Sequence, residues 1–192
     1  MNKNILLCGV GGQGIVLISK LTASCAMEKG LSVMSAETIG MAQKGGSVFS
    51  FLKIGEGMNC PMFGERQADM IIAAEPAEAV RMLPYLKEDG CVIVNNRPIM
   101  PVTSALRSSA YTGNEMLDYL KRNISDLIIV DGDKACHEIG SPKVLNMVML
   151  GAAISSGILP FTTEDAIKAM EKNVKPQFVE MNRKALKIYS KK

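Results

Sequence analysis

Tryptophan is absent from the 192 residues, and histidine occurs once, at His137. A Ser-His-Asp relay would have to run through that one imidazole. His137 sits in a polar helical segment between Cys136 and Glu138, a setting that suits a surface residue better than a catalytic one. Cysteine is also scarce. Cys8, Cys25, Cys60, Cys91 and Cys136 are five in number, and no two stand at metal-ligand spacing. Zinc and iron–sulfur sites draw on closely spaced Cys and His, so no metal site is expected here. An odd, scattered set points to reduced and mostly buried thiols, as in a cytoplasmic protein. Any cluster-based electron transfer linked to this chain is expected on another chain. No apolar run reaches transmembrane length, and the short run Ile5-Leu6-Leu7-Cys8 reads as a strand, not as the core of a signal peptide. The chain is therefore expected in the cytoplasm, off the membrane.

Aromatic residues make up only 5% of the chain, so its 14 Met and its many Val, Ile, Leu and Ala must fill the core. The length fits one domain, spanning residues 1–192, and is short for two. A net charge of +3 is too small to argue for a nucleic-acid partner. The excess is local: from Lys168 onward eight Lys or Arg face two Glu, which leaves the remainder at about −3. That basic end is either the solvated face of terminal helices or a docking surface for an acidic partner.

Along the chain, strand-like and helix-like segments alternate, the pattern of an α/β fold with a mainly parallel sheet. Strands are predicted at Asn4–Cys8, Leu31–Ser35, Val48–Ile54, Met70–Ala74, Cys91–Asn95 and Leu127–Val130. A helical period runs from Gly14 to Lys29 with Gly30 as its stop. A second helix opens at Glu75-Pro76, bends at Pro84 and is stopped by Gly90. The turn-rich stretch 55–67 is a hairpin or an active loop. Asn114–Arg122 is a further helix, and Asp131 and Asp133 are turn and cap residues. The last third is helical, with an apolar helix Lys143–Ser156, a helix Thr162–Lys172 capped by Thr162 and Asp165, and a basic amphipathic helix Pro176–Tyr189. The fold class expected is a single Rossmann-like α/β domain with a mainly parallel sheet flanked by helices and a helical C-terminal third.

Two glycine-rich loops carry the chemistry. Gly9, Gly11 and Gly14 satisfy G-x-G-x-x-G between a strand and a helix, with Gly12 and Gln13 inside the loop. Such a loop brings backbone close to a ligand, and the amides opening the helix favour an anion. Glu37 follows Gly14 by 23 residues, where a dinucleotide fold places its ribose-binding acid. The second loop is Gln43-Lys44-Gly45-Gly46-Ser47-Val48. It offers free backbone, a cation and directed hydrogen bonds, fit for phosphate or carboxylate or for a turn at a subunit interface. Both loops are expected at the carboxyl edge of the sheet as one contiguous patch. Gln13 and Lys44 fall outside any apolar period, so replacing either is expected to spare the fold.

Together these segments resemble a known family. Gly9-Val10-Gly11-Gly12-Gln13-Gly14, the Gln43–Val48 loop, Ala74-Glu75-Pro76-Ala77-Glu78, Leu83-Pro84-Tyr85-Leu86, Val94-Asn95 and Leu150-Gly151-Ala152 are similar to the gamma-type domain of 2-oxoacid:ferredoxin oxidoreductases. The Gln-Lys-Gly-Gly-Ser-Val form of the second loop looks most like the beta subunit of the indolepyruvate branch. The resemblance implies a small subunit of a complex that converts an aryl 2-oxoacid to its acyl-coenzyme A with reduction of ferredoxin. It implies no cofactor in this chain. Thiamine diphosphate and iron–sulfur clusters would sit on a large alpha subunit, the partner, with coenzyme A as co-substrate. It transfers no catalytic residue. The glycine-loop residues are candidates for cofactor binding or for the interface. Two other readings stand beside it: an independent nucleotide- or anion-binding protein using Gly9–Gly14, and a free-standing homodimer.

Overall fold

Residues 2–38, 45–100 and 111–189 are described in a computed structural model of the chain. Six strands form one sheet in the order β2-β3-β1-β4-β5-β6. They are β1 (Lys3–Val10), β2 (Val33–Glu37), β3 (Ser47–Ile54), β4 (Ala68–Ala73), β5 (Leu86–Asn95) and β6 (Asp126–Val130). β1, β4, β5 and β6 pair in parallel, and β3 runs antiparallel to both of its neighbours. The sheet is thus mainly parallel with one reversed strand wedged between β1 and β2.

Alternation along the strands divides the core into two. In β1, Ile5 and Leu7 join one cluster and Leu6 and Cys8 the other, because successive side chains leave a strand on opposite faces. The first face carries α1 (Ile15–Glu28), α4 (Gly132–Ile139), α5 (Leu145–Ser155), α6 (Thr163–Asn173) and α7 (Pro176–Lys187). The second carries α2 (Pro76–Met82) and α3 (Asn114–Asn123), with Phe63 from the 55–67 connection packed edge-on against Phe51 at 4.7 Å. Both faces of β1, β4 and the second half of β5 are covered, which is why these stretches read as nearly unbroken apolar runs. Among the described residues no helix is long and apolar enough to cross a membrane.

Several boundaries differ from those expected, and two of them have clear local reasons. β2 begins at Val33, not Leu31, because the end of α1 extends beyond its last turn. Gly30 adopts φ +76°, its N–H bonds Met27 O at 2.9 Å, and Leu31 N–H bonds back to Ala26 O at 3.1 Å. That wrap consumes two residues before a strand can start. Gly90 is not a helix stop. α2 ends at Met82, Leu83–Tyr85 form a 3₁₀ turn around Pro84, and β5 already begins at Leu86. Gly90 lies inside β5 where the register to β4 shifts, and a Cβ there would stand 2.6 Å from Leu86 Cδ1. An irregular strand needs such a residue.

Candidate cofactor or interface site at the carboxyl edge

α1 packs on one face of the sheet and α2 on the other, and they follow the adjacent parallel strands β1 and β4. The carboxyl ends of β1 and β4 therefore flank the point where the connections part to opposite faces, the place where open α/β sheets gather ligands. The first glycine loop leaves β1 there. The reversed β3 starts beside it, with Ser47 opposite Val10.

The two glycine loops touch. Gly11 N–H donates to Gly46 O at 2.8 Å and Gly45 N–H to Gly11 O at 3.4 Å, continuing the β1–β3 ladder past the strand ends. Gly9, Gly11, Gly12, Gln13, Gly14, Gly45, Gly46 and Ser47 thus lie along one edge. Gln43 and Lys44 fall outside the described residues. Gln13 closes the first loop from within. Its Oε1 accepts from Val10 N–H at 2.7 Å and its Nε2 donates to Ala74 O at 2.8 Å. A Cβ on Gly9 would meet that Oε1 at 2.8 Å. Gly14 caps α1 with φ +77°, and a side chain there would run into Asn146 of α5 at 2.4 Å. Beyond it Val16 and Leu17, in the first turn of α1, are 41% and 46% exposed.

Polar side chains gather behind the loops. Glu75 is 1% and Glu78 is 5% exposed. Glu75 Oε2 accepts from Glu78 N–H at 3.0 Å, which caps α2, while its Oε1 accepts from Tyr111 OH at 2.6 Å and from Ile99 N–H at 3.4 Å. Glu78 accepts from the Ser47 hydroxyl and pairs with Arg81 Nε at 3.3 Å. Asn95, at the end of β5, donates to Ala74 O at 3.3 Å and accepts from Gly132 N–H at 3.2 Å. Burial, then the hydrogen bond to Glu75 and its charge, raise the Tyr111 phenol above its ordinary value. Burial foremost, then Glu78 and Glu75, push the Cys8 thiol well up. Both hydroxyl and thiol stay protonated as donors.

The sequence reading included Ser47 but missed Glu75, Glu78, Asn95 and Tyr111 as edge residues. An apolar strand running into Glu-Pro-x-Glu was the available signal, since Pro at N1 after a capping acceptor marks a helix start at a strand's carboxyl end. Glu37 ends β2, and β3 lies between β2 and β1. Two strand spacings, about 10 Å, separate it from the glycine loop, so loop and acid do not adjoin as in a dinucleotide fold. His137 is exposed on α4. Asp131 caps α4 by accepting from Lys134 N–H at 3.1 Å, and Asp133 pairs with Arg97 at 2.9 Å. Part of the basic end is used internally: Lys172 pairs with Glu28, and Arg183 with Glu171. Cys8, Cys25, Cys91 and Cys136 are buried and Cys60 exposed. Among the described residues no three of His, Cys, Asp and Glu converge in a group that could hold a metal ion. This donor set does not fit an iron–sulfur cluster, which takes closely grouped thiolates.

Comparison with known proteins agrees with this architecture. Residues 4–188 match the family described as pyruvate ferredoxin/flavodoxin oxidoreductase. An indolepyruvate oxidoreductase subunit IorB of Archaeoglobus fulgidus is 36% identical over 189 residues, 98% of this chain and 94% of the relative. The protein of that name from Methanothermobacter thermautotrophicus is 35% identical, covering 97% of this chain and 95% of its own length. The crystal structure of a keto/oxoacid ferredoxin oxidoreductase gamma subunit from Geobacter sulfurreducens superposes with a TM-score of 0.70 at 26% identity, over 97% of this chain and 95% of that one. Matched from near its first residue to near its last, this chain belongs to the pyruvate ferredoxin/flavodoxin oxidoreductase family.

Proposed function

We propose that the chain is the small subunit of an indolepyruvate-type 2-oxoacid:ferredoxin oxidoreductase, a cytoplasmic hetero-oligomer in which residues 1–192 act as one gamma-type domain. The observation that carries this reading is the end-to-end match to relatives named as indolepyruvate oxidoreductase subunits. The complex would oxidise an aryl 2-oxoacid, release carbon dioxide, join the acyl group to coenzyme A and pass two electrons to ferredoxin. Thiamine diphosphate and the iron–sulfur clusters belong, in this reading, to the large alpha subunit.

This chain's part is to complete the coenzyme A or substrate side of that centre. The joined glycine loops present backbone at the edge of the sheet, with Val16 and Leu17 as exposed apolar surface beside them. Close backbone suits an anionic group, and an exposed apolar turn suits a partner subunit. Gln43 and Lys44 remain candidates for the same patch, with Lys44 as its cation.

Co-expression with a large chain that has thiamine-binding and Cys-rich segments is the test. The purified pair is expected to reduce ferredoxin with indolepyruvate and coenzyme A, and this chain alone to reduce none. Ferredoxin reduction by the lone chain, or failure of the two chains to co-purify, would refute the assignment.

A further inference from the structure

The segment from Ala74 to Glu78 ties together loops from several strands. Ala74 O receives both Gln13 and Asn95. The two glutamates that follow reach in opposite directions across the sheet order. Glu78 reaches Ser47, the first residue of β3, on one side of the β1–β4 pair. Glu75 reaches Ile99 and Tyr111, which follow β5 on the other side. Both carboxylates are almost wholly removed from water, and their hydrogen bonds to Ser47, Ile99 and Tyr111 are part-buried, so solvent competes for them only from the donors' side.

We propose that Glu75 and Glu78 are positioning residues that set the two walls of the carboxyl edge separately, Glu78 holding the glycine-loop wall through Ser47 and Glu75 the opposite wall through Ile99 and Tyr111. A carboxylate suits this work because it only accepts. Three donors converge on Glu75, and an amide in its place would turn an NH₂ towards at least one of them. The α2 backbone is the common reference: Glu75 caps it, and Glu78 stands one turn further along. The rigid sheet and helix thus fix the spacing between two loops that have no main-chain contact with each other among the hydrogen bonds described. The ligand held between these walls is the coenzyme or 2-oxoacid portion assigned above, so this role rests on the proposed function. The anchoring itself does not.

Hydrogen exchange of the full chain tests the anchors without any activity. Tyr111→Phe removes one hydroxyl, and Glu75→Gln turns a donor inward. Both are expected to speed exchange in residues 96–100 by about tenfold and to leave 45–50 at the wild-type rate. Ser47→Ala is expected to do the reverse. Equal effects on both segments in every variant, or none in any, would overturn the separate anchoring. In the complex with the large chain, Tyr111→Phe and Ser47→Ala should raise KM for the 2-oxoacid or coenzyme A about tenfold, with kcat within about twofold. Local exchange effects with unchanged KM would overturn the positioning role. A wild-type complex that reduces no ferredoxin would refute the proposed function and leave the exchange result standing.

Discussion

The amide of Gln13 joins two backbone groups, Val10 N–H and Ala74 O, and only the second is also served by another side chain, Asn95. Val10 N–H points into its Oε1, and Ala74 O lies against its Nε2. Val10 and Ala74 are both buried, so truncation would leave a donor unpaired away from water, at a cost of about 1–3 kcal/mol. Gln13→Ala should therefore lower the urea midpoint of the free chain. Unchanged unfolding would mean that water replaces the amide. From the sequence alone the same substitution is expected to be harmless, because Gln13 breaks the apolar period. Bonds from side chain to main chain have no periodicity, so the pattern that revealed Ile15, Ile18 and Leu21 as core is silent about Gln13. Glu75 and Glu78 escaped for a related reason. A carboxylate reads as solvated until the donors around it are known, and here, besides the local Glu78 N–H and Arg81, these come from Ser47, Ile99 and Tyr111, each over 20 residues away.

Among the elements, α6 shows how much local chemistry was legible. Thr162-x-x-Asp165 reads as a capping box, and both halves form: Asp165 N–H donates to Thr162 Oγ1 at 3.3 Å and Thr162 N–H to Asp165 Oδ2 at 2.8 Å. The Thr162 amide first, then Lys29 at 3.0 Å, hold the Asp165 carboxyl down to about 2. A depressed carboxyl stabilises the fold only while ionised, so its contribution is complete above the ordinary value near 4 and is lost as pH falls towards 2. The gap in melting temperature between wild type and Asp165→Asn should be largest above about pH 4 and close towards pH 2; a gap independent of pH would remove the charge from the account. Strands were equally readable wherever both faces are buried, as in Ile5–Cys8 or Met70–Ala73. The errors lay where one element runs into the next. The wrap after α1 displaced the start of β2, and Leu86-Lys87-Glu88-Asp89, charged at three of its four positions, hid the first half of β5.

For the whole molecule, the order of strands decides what the glycine loop can do. Composition and alternation predict a mainly parallel sheet, yet nothing in Ser47–Ile54 states that it runs backwards between β1 and β2. That placement depends on partners distant in sequence. It puts Glu37 two strands from Gly9–Gly14, and Gln13 fills the turn. Calorimetry with NAD and NADP should accordingly give no binding near the micromolar level, about −8 kcal/mol; such affinity would favour an independent nucleotide-binding protein. The same strand order bears on how the chain is made. β1 is synthesised before either neighbour, and its partners in the sheet do not follow until Ser47–Ile54 and Ala68–Ala73. Throughout that interval Ile5, Leu6, Leu7 and Cys8, all fully buried in the finished fold, have no sheet to enter. The nascent chain must carry this largely apolar strand without a complete set of strand partners until β4 emerges, and strand pairing over such separations is slow compared with local contacts. Ribosome-associated chaperones would find their natural target in this first strand, long before a partner subunit meets the finished edge.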